Sequence, residues 1–259
     1  MKANTLLKAT SSLIAAILLP VSGAQAQTYL VDFGGAGLST QPSYGAVPTI
    51  SPDTNGNYWN NSQGGPGGQP SNLNNLVSAL NLTSTISLTW TNWGGGVATA
   101  TMGVTNVPGA SELASSPLNI ATATGDSVFR STAGTNRFFL DGLTPGGLYN
   151  ISIFASRTAT NARSTLFTVA GLSTITNVVQ TSGTDLSGAG LNYSTTPWNI
   201  LDFAADTNGQ IAVDYTISTG GFAYINAMSL EVVPEPSTLG LLGLAAAGTF
   251  MHVLRRRRR

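Results

Sequence analysis

Hydroxyl nucleophiles are plentiful in this 259-residue chain, but the groups that would activate them are not. A serine or threonine needs a neighbouring base, such as an imidazole or amine, to attack at neutral pH. The single histidine is His252, near the C-terminus; there is no cysteine, and the two lysines are Lys2 and Lys8. A His-based triad, a Schiff-base lysine, a disulfide framework and a Cys- or His-ligated metal are therefore excluded from residues 27–232. Carboxylates remain, eight Asp and two Glu in that span. Two at a defined separation would serve glycoside hydrolysis. However, Glu112 and Glu231 stand in a loop and a closing strand with no recognisable motif around them. Most of the aspartates read as turn formers or arginine partners. So few acid–base groups make the chain a non-enzyme in this reading, with a carboxylate-dependent glycosidase as a distant alternative.

Binding chemistry is better supplied. Oxygen ligands favour Ca²⁺ over a transition metal. Asp53-Thr54-Asn55-Gly56-Asn57 has alternating calcium-loop spacing, but Tyr58 stands at the sixth position and Gly64 at the twelfth. An EF-hand needs Gly and Glu there. A plain Asn/Gly turn is the simpler reading, a structural Ca²⁺ of another kind the alternative, and no cofactor is required. Among the aromatics, Trp90 alternates with Leu88 and belongs in a core. Trp59, beside Asn60, and Trp93, before Gly94-Gly95-Gly96, are expected in exposed loops. There the apolar face of a sugar could stack on the ring while Asn or Arg bonds its hydroxyls. Arg157 ends a strand and is expected to pair with a carboxylate or touch a ligand. Trp59, Asn60, Trp93 and Arg157 are thus the candidate ligand-binding residues.

The elements that must position these side chains are mostly strands. Thr28–Phe33 opens as one, and residues 34–71 read as a long Gly/Pro/Asn-rich loop region. Leu73, Leu76, Val77 and Leu80 have helical spacing, which predicts a short helix over 72–80. Ile86, Leu88 and Trp90 alternate with polar residues as a half-buried strand. Ala98–Thr105 is a weaker strand, and Asp126 is placed to cap a helical turn carrying Val128 and Phe129. Arg137–Leu140, Tyr149–Ala155, Leu166–Val169, Thr176–Gln180, Leu201–Phe203 and Ile211–Tyr215 follow as strands, and Phe222–Val232 closes the series. Asp206-Thr207-Asn208-Gly209 is a hairpin-type turn. About ten short strands and few helices predict an all-β chain, an antiparallel β-sandwich of jelly-roll type in a single domain.

The two ends stand apart from this pattern. Residues 1–26 read as a signal peptide: Lys2 and Lys8, the apolar Leu13–Leu19, then Ala24-Gln25-Ala26, with cleavage by signal peptidase before Gln27. At the other end, Val233-Pro234-Glu235-Pro236-Ser237 precedes an apolar run to Leu254 and then Arg255, Arg256, Arg257, Arg258 and Arg259. The 18 residues from Ser237 to Leu254 would span about 27 Å as a helix, near the thickness of a bilayer core. The arginines would remain cytoplasmic as an anchor, leaving residues 27–232 outside. Seven of the 11 basic residues lie in these ends. The span between them keeps four arginines against ten acids, a net charge of −6, which argues against nucleic acid or anionic lipid as partners.

The tail resembles a PEP-CTERM sorting signal, carried by Pro234-Glu235-Pro236, the Gly/Ala/Leu-rich helix and the basic end. The resemblance covers 233–259 and implies a Gram-negative bacterium with an exosortase, a membrane protease/transpeptidase that would process the tail. It also implies an exopolysaccharide or biofilm setting. Val31-Asp32-Phe33-Gly34, the Gly142–Tyr149 segment before Ile153–Arg157, and Tyr224–Leu230 together resemble galactose-binding-like or malectin-like jelly rolls. That resemblance implies carbohydrate association. The organisation is therefore signal peptide 1–26, β-sandwich ectodomain 27–232 and sorting tail 233–259. The expected destination is the inner membrane first, then the cell envelope, surface or extracellular matrix. A structural surface protein without a small ligand is the alternative. Pro234→Ala or Glu235→Ala should leave the tail attached and the protein held in the membrane; mass spectrometry of the mature C-terminus would read an unshortened end, whereas normal trimming would refute the motif's role.

Overall fold

Period-two burial writes the strands. In Thr135–Asp141, Asn136, Phe138 and Leu140 are buried while Arg137 is exposed, and Tyr149, Ile151 and Ile153 are buried in the same rhythm. The computed structural model describes residues 26–34, 48–62, 70–98, 111–186 and 190–234. Its strands are β1 (Thr28–Asp32), β2 (Trp59–Asn61), β3 (Ser87–Asn92), β4 (Gly96–Ala98), β5 (Ser127–Arg130), β6 (Thr135–Asp141) and β7 (Leu148–Phe154). Then come β8 (Arg163–Ala170), β9 (Thr174–Ser182), β10 (Trp198–Ala204), β11 (Ile211–Thr219), β12 (Ala223–Ile225) and β13 (Ala227–Val232). One five-stranded sheet has the order β10-β7-β13-β1-β2 and a second β3-β6-β11-β8-β9; β12-β5-β4 form a small third sheet. Nearly every pairing is antiparallel; β1 and β2 are parallel, with Leu30 beside Trp59. This is an all-β sandwich, and Gln27–Val233 make one compact unit.

The main core lies between the two large sheets. Val31, Ile151, Ile153, Met228 and Leu230 from the first meet Leu88, Phe138, Phe167, Val213 and Tyr215 from the second. The first sheet also buries part of its other face. Leu30, Phe154 and Ala227 point away from the main core and pack with Trp59, Leu113, Leu118 and Ala123. The covering segment is a 3₁₀ turn, Glu112–Ser115, followed by a single helical turn, Ala121–Gly125.

Several local expectations are corrected. Residues 72–80 are not a helix. Asn75 and Asn81 have φ of 54° and 63°, which a helix does not accommodate. The backbone amides of Leu73 and Leu76 instead donate to Leu88 and Ile86 of the neighbouring strand segment. Asp126 follows the helical turn rather than capping one, and Val128 and Phe129 belong to β5 because they pair with Ile225 and Tyr224. The turn at Asp206–Gly209 is genuine, with Gly209 donating to Asp206, but it is not a hairpin: β10 pairs with β7 in one sheet, and β11 pairs with β6 and β8 in the other. Of Ala98–Thr105, only Ala98 is described, at the end of β4. The apolar run of the signal peptide and the proposed membrane helix lie outside the described residues. Among those described, no helix is long and apolar enough to cross a membrane.

Asn226, wholly buried between β12 and β13, joins the layers. Its Oδ1 accepts from Ser156 N at 2.7 Å, and its Nδ2 donates to the carbonyls of Thr124 and Asp126 at 3.0 and 2.6 Å. Its own backbone accepts from Phe33 N and donates to Phe154 O. One side chain thus satisfies the loop after β7, the helical turn and the start of β5. Each buried group left without its partner costs about 1–3 kcal/mol. Asn226→Ala should therefore lower stability by about 3 kcal/mol or more in urea unfolding. A loss below about 1 kcal/mol would show that water or backbone relaxation replaces the amide.

Candidate functional site

The four residues singled out as ligand contacts do not form one constellation. Trp59 is buried, contrary to its expected loop exposure, because its pairing with Leu30 places it under the 111–123 cover. Its indole Nε1 donates to Asp53 Oδ2 at 2.7 Å. Asp53 Oδ1 accepts from the amides of Asn55 and Asn57, so the suspected calcium loop is folded as an Asx turn. Burial alone would raise that carboxyl, but the Trp59 and backbone bonds hold it below the ordinary value. Asn60 works as a backbone splint: Nδ2 donates to Leu30 O and Val77 O, and Oδ1 accepts from Val77 N. Trp93 is half-buried and packs edge-on against Trp90, 5.4 Å between centroids. Trp90 is in the core, as its alternation indicated.

Arg157 has no carboxylate partner, against expectation; Arg137–Asp214 is the one ion pair among the described residues. Its guanidinium lies 5.4 Å from the ring centre of Tyr224. Arg163, at the start of β8, lies 4.5 Å from the ring of Phe222 and donates from Nη1 to the Tyr224 hydroxyl. Burial lowers the Arg157 pKa, and the neighbouring Arg163 adds to the fall. Burial likewise raises that of Tyr224, against the pull of both arginines.

Two surface concavities among the described residues bear on binding. The first, about 480 Å³, lies between β9 and β10, the edge strands on one side of the sandwich. Trp198, Val178, Asn177, Gln180, Thr196 and Glu112 line it. Trp198 is held at an angle of 38° to Phe167, 6.2 Å between centroids, and remains partly exposed. Amide and hydroxyl groups beside a partly open indole are the chemistry that grips a sugar's hydroxyls and its apolar face. Glu112 is the one carboxylate of this lining among the described residues. The second concavity contains Asp214, tied to Arg137 by two bonds of 2.5 and 2.6 Å. Among the described residues, neither lining holds two free carboxyls, the pair that glycoside hydrolysis uses. Trp198 shares its residue type with Trp59 and Trp93, and what distinguishes it is its place on an edge strand, which local sequence does not reveal.

Both termini of the unit emerge together. Val232 donates to Gln27 O, and Val233 to Leu148 O at the start of β7. Arg157 follows the other end of β7. Those seven strand residues separate the two ends by about 23 Å. Ala26 and Gln27 of the cleavage site and Val233 and Pro234 of the sorting motif are described; Ala24, Glu235, Pro236, Ser237 and Arg255–Arg259 lie outside the described residues.

Residues 232–259 match the PEP-CTERM protein-sorting motif. No curated protein matches the chain. Among solved structures, the extracellular domain of ANXUR1 from Arabidopsis thaliana aligns at 12% identity and a TM-score of 0.46, over 81% of this chain and 49% of that one. TmCBM61, solved with β-1,4-galactotriose, aligns at 14% identity and 0.31, over 59% and 90% of the two chains. The CBM35 of Cellvibrio japonicus Abf62 aligns at 16% and 0.30, over 58% and 94%.

A raised acid is a usual flag for catalysis, and Asp32 carries one. Burial pushes its carboxyl up to about 7, against the bond its Oδ2 accepts from Thr49 N. Oδ1 has no hydrogen-bond partner among the described residues. A second buried acid, Asp126, crowds the end of the same strand; a side chain begun at Gly34 would lie 2.1 Å from its Oδ1. With 1% of its surface exposed, Asp32 is shielded from solvent, and its shift bears on stability. Between the ordinary carboxyl value near 4 and about 7, the folded state holds a proton that the unfolded chain releases. Stability should therefore fall as pH rises through that window. Asp32→Asn should flatten the melting temperature between pH 4.5 and 7.5; an equally steep decline in the variant would assign the effect elsewhere.

Proposed function

We propose that this chain is an exported, non-enzymatic protein of the cell envelope or extracellular matrix that associates with polysaccharide. The sorting motif supports export and handling by an exosortase; signal peptidase would act at the other end. The single observation that carries the polysaccharide reading is the groove between β9 and β10, with Trp198 partly open beside Asn177 and Gln180 and one carboxylate in its wall. Binding follows from that composition more readily than hydrolysis, for want of a second acid. The groove opens at sheet edges, where a long polymer can lie across the site without threading. Trp198 pairs with Ile153, near the end of β7 remote from Val233. The host would be a Gram-negative bacterium, with the membrane helix retaining the protein until the tail is cut.

Affinity electrophoresis in gels containing the organism's own exopolysaccharide tests the reading. The wild-type chain should be retarded. Trp198→Ala should bind about tenfold more weakly, the ~1.4 kcal/mol an aromatic contact of this kind supplies. Equal mobility of both proteins with and without polysaccharide would reject the groove as a glycan site.

A further inference from the structure

Ten acids are available to four arginines between residues 27 and 232, yet two of those arginines meet the same aromatic ring and, among the described residues, neither pairs with an acid. Arg157 and Arg163 share the Tyr224 ring, at 5.4 and 5.9 Å. Phe222 stacks beside Tyr224 with ring planes 10° apart, and Phe129 closes the group at 5.9 Å from Phe222. The Nε of each guanidinium is buried without a hydrogen-bond partner among the described residues. Two neighbouring cations in partly desolvated surroundings repel each other, and an aromatic face offsets only part of that. The arrangement has an unmet need for negative charge.

Its positions are fixed by backbone rather than by chance side-chain contact. Arg157 N donates to Thr181 O at 2.9 Å, next to Ser156, whose amide is held by Asn226. Tyr224 N donates to Thr165 Oγ1 at 2.9 Å. Gly220 and Gly221, both at positive φ, turn the chain from β11 into β12. A side chain at Gly220 would meet Arg163 Cγ at 2.7 Å and Ala162 O at 2.3 Å, so glycine is what lets this turn close on Arg163. Arg157, Arg163, Phe222 and Phe129 all remain partly exposed, so the cluster is open to solvent.

We infer that Arg157 and Arg163 form an anion subsite for the carboxylate of an acidic sugar in a polysaccharide. Guanidinium forks match a carboxylate in shape and charge. The half-exposed Phe222 and Phe129 offer an apolar surface for the ring that carries it. The net charge of −6 opposes binding of polyanions in general, so recognition must be local and short-ranged. The inference rests on the polysaccharide reading above for the class of its ligand, while its residues are not among those that line the β9–β10 groove.

The test compares polygalacturonate with its fully methyl-esterified form, which keeps the sugar and removes the charge, using the full chain. Dextran sulfate serves as a polyanion control. The wild type should bind polygalacturonate at least tenfold more tightly than the ester and than dextran sulfate. That preference should shrink as NaCl rises from 0.05 to 0.5 M. Arg157→Gln should abolish the preference with an unchanged melting temperature, Arg157→Lys should retain part of it, and Trp198→Ala should leave it intact. Equal binding of acid and ester, equal binding of dextran sulfate, or a preserved preference in Arg157→Gln would each overturn the inference. Loss of the preference in Trp198→Ala would overturn it too, by assigning acidic glycans to the groove. If acid preference persists while Trp198→Ala changes no binding, the groove fails and the arginine subsite stands.

Discussion

A single buried amide determines how this low-charge shell holds together. With 8% charged residues, ion pairs cannot fasten the seams between layers, and neutral hydrogen bonds must do so. Asn226 stands where the chain leaves the small sheet for the first large one, and it bonds to three separate segments. A shorter residue could not reach them, and an aspartate could not donate to the two carbonyls. Elsewhere the same solution recurs. Asn60 splints β1 to the Val77 segment, and Asn136 accepts from Arg130 and Gly94 while donating to the Tyr215 hydroxyl. Amide side chains in this protein are thus largely structural mortar.

That constraint decides where binding can occur. The first large sheet buries its inner face and, at Leu30, Phe154 and Ala227, part of its outer one, while Asn150, Ser152 and Asn199 stay at least partly open. The cover over its outer face consumes Trp59, and Asx geometry consumes Asp53. Open chemistry is displaced to the β9–β10 edge and to the loops beyond β7, where side chains are held on one flank only. Both of those regions lie toward the end of β7 opposite the one where Val233 leaves.

The sandwich was legible because alternation in β6, β7 and β11 is local and strong. What could not be read were relations between distant segments. Leu73, Leu76, Val77 and Leu80 have helical spacing, yet Leu80 is 61% exposed and the backbone bonds run to residues 86 and 88. The turn chemistry of Asp206–Gly209 is the same whether its flanking strands pair or part into two sheets, so only topology distinguishes them. Trp59 looked loop-borne among asparagines; its burial depends on a parallel partner, Leu30, and on a cover from 111–123 that has no periodic signature. Arg157 was expected to meet a carboxylate or a ligand, and among the described residues it meets an aromatic ring instead. The aromatic partner, Tyr224, lies 67 residues on, in a strand whose every position is buried and so gives no alternation to read.

Residue type alone therefore misleads about function here, and accounting for hydrogen bonds corrects it. Asn60 and Asn177 are the same residue, but every polar atom of Asn60's amide is committed to backbone, whereas Asn177 is exposed on an edge strand. Trp59 and Trp198 differ in the same way: one spends its N–H on Asp53 under a cover, the other remains partly open at a groove. Arg130 and Arg157 complete the series. Arg130 donates to two carbonyls and an amide, while no described acceptor meets the Arg157 guanidinium. Among the described residues few buried donors lack a partner, and the Nε atoms of Arg157 and Arg163 are two of them.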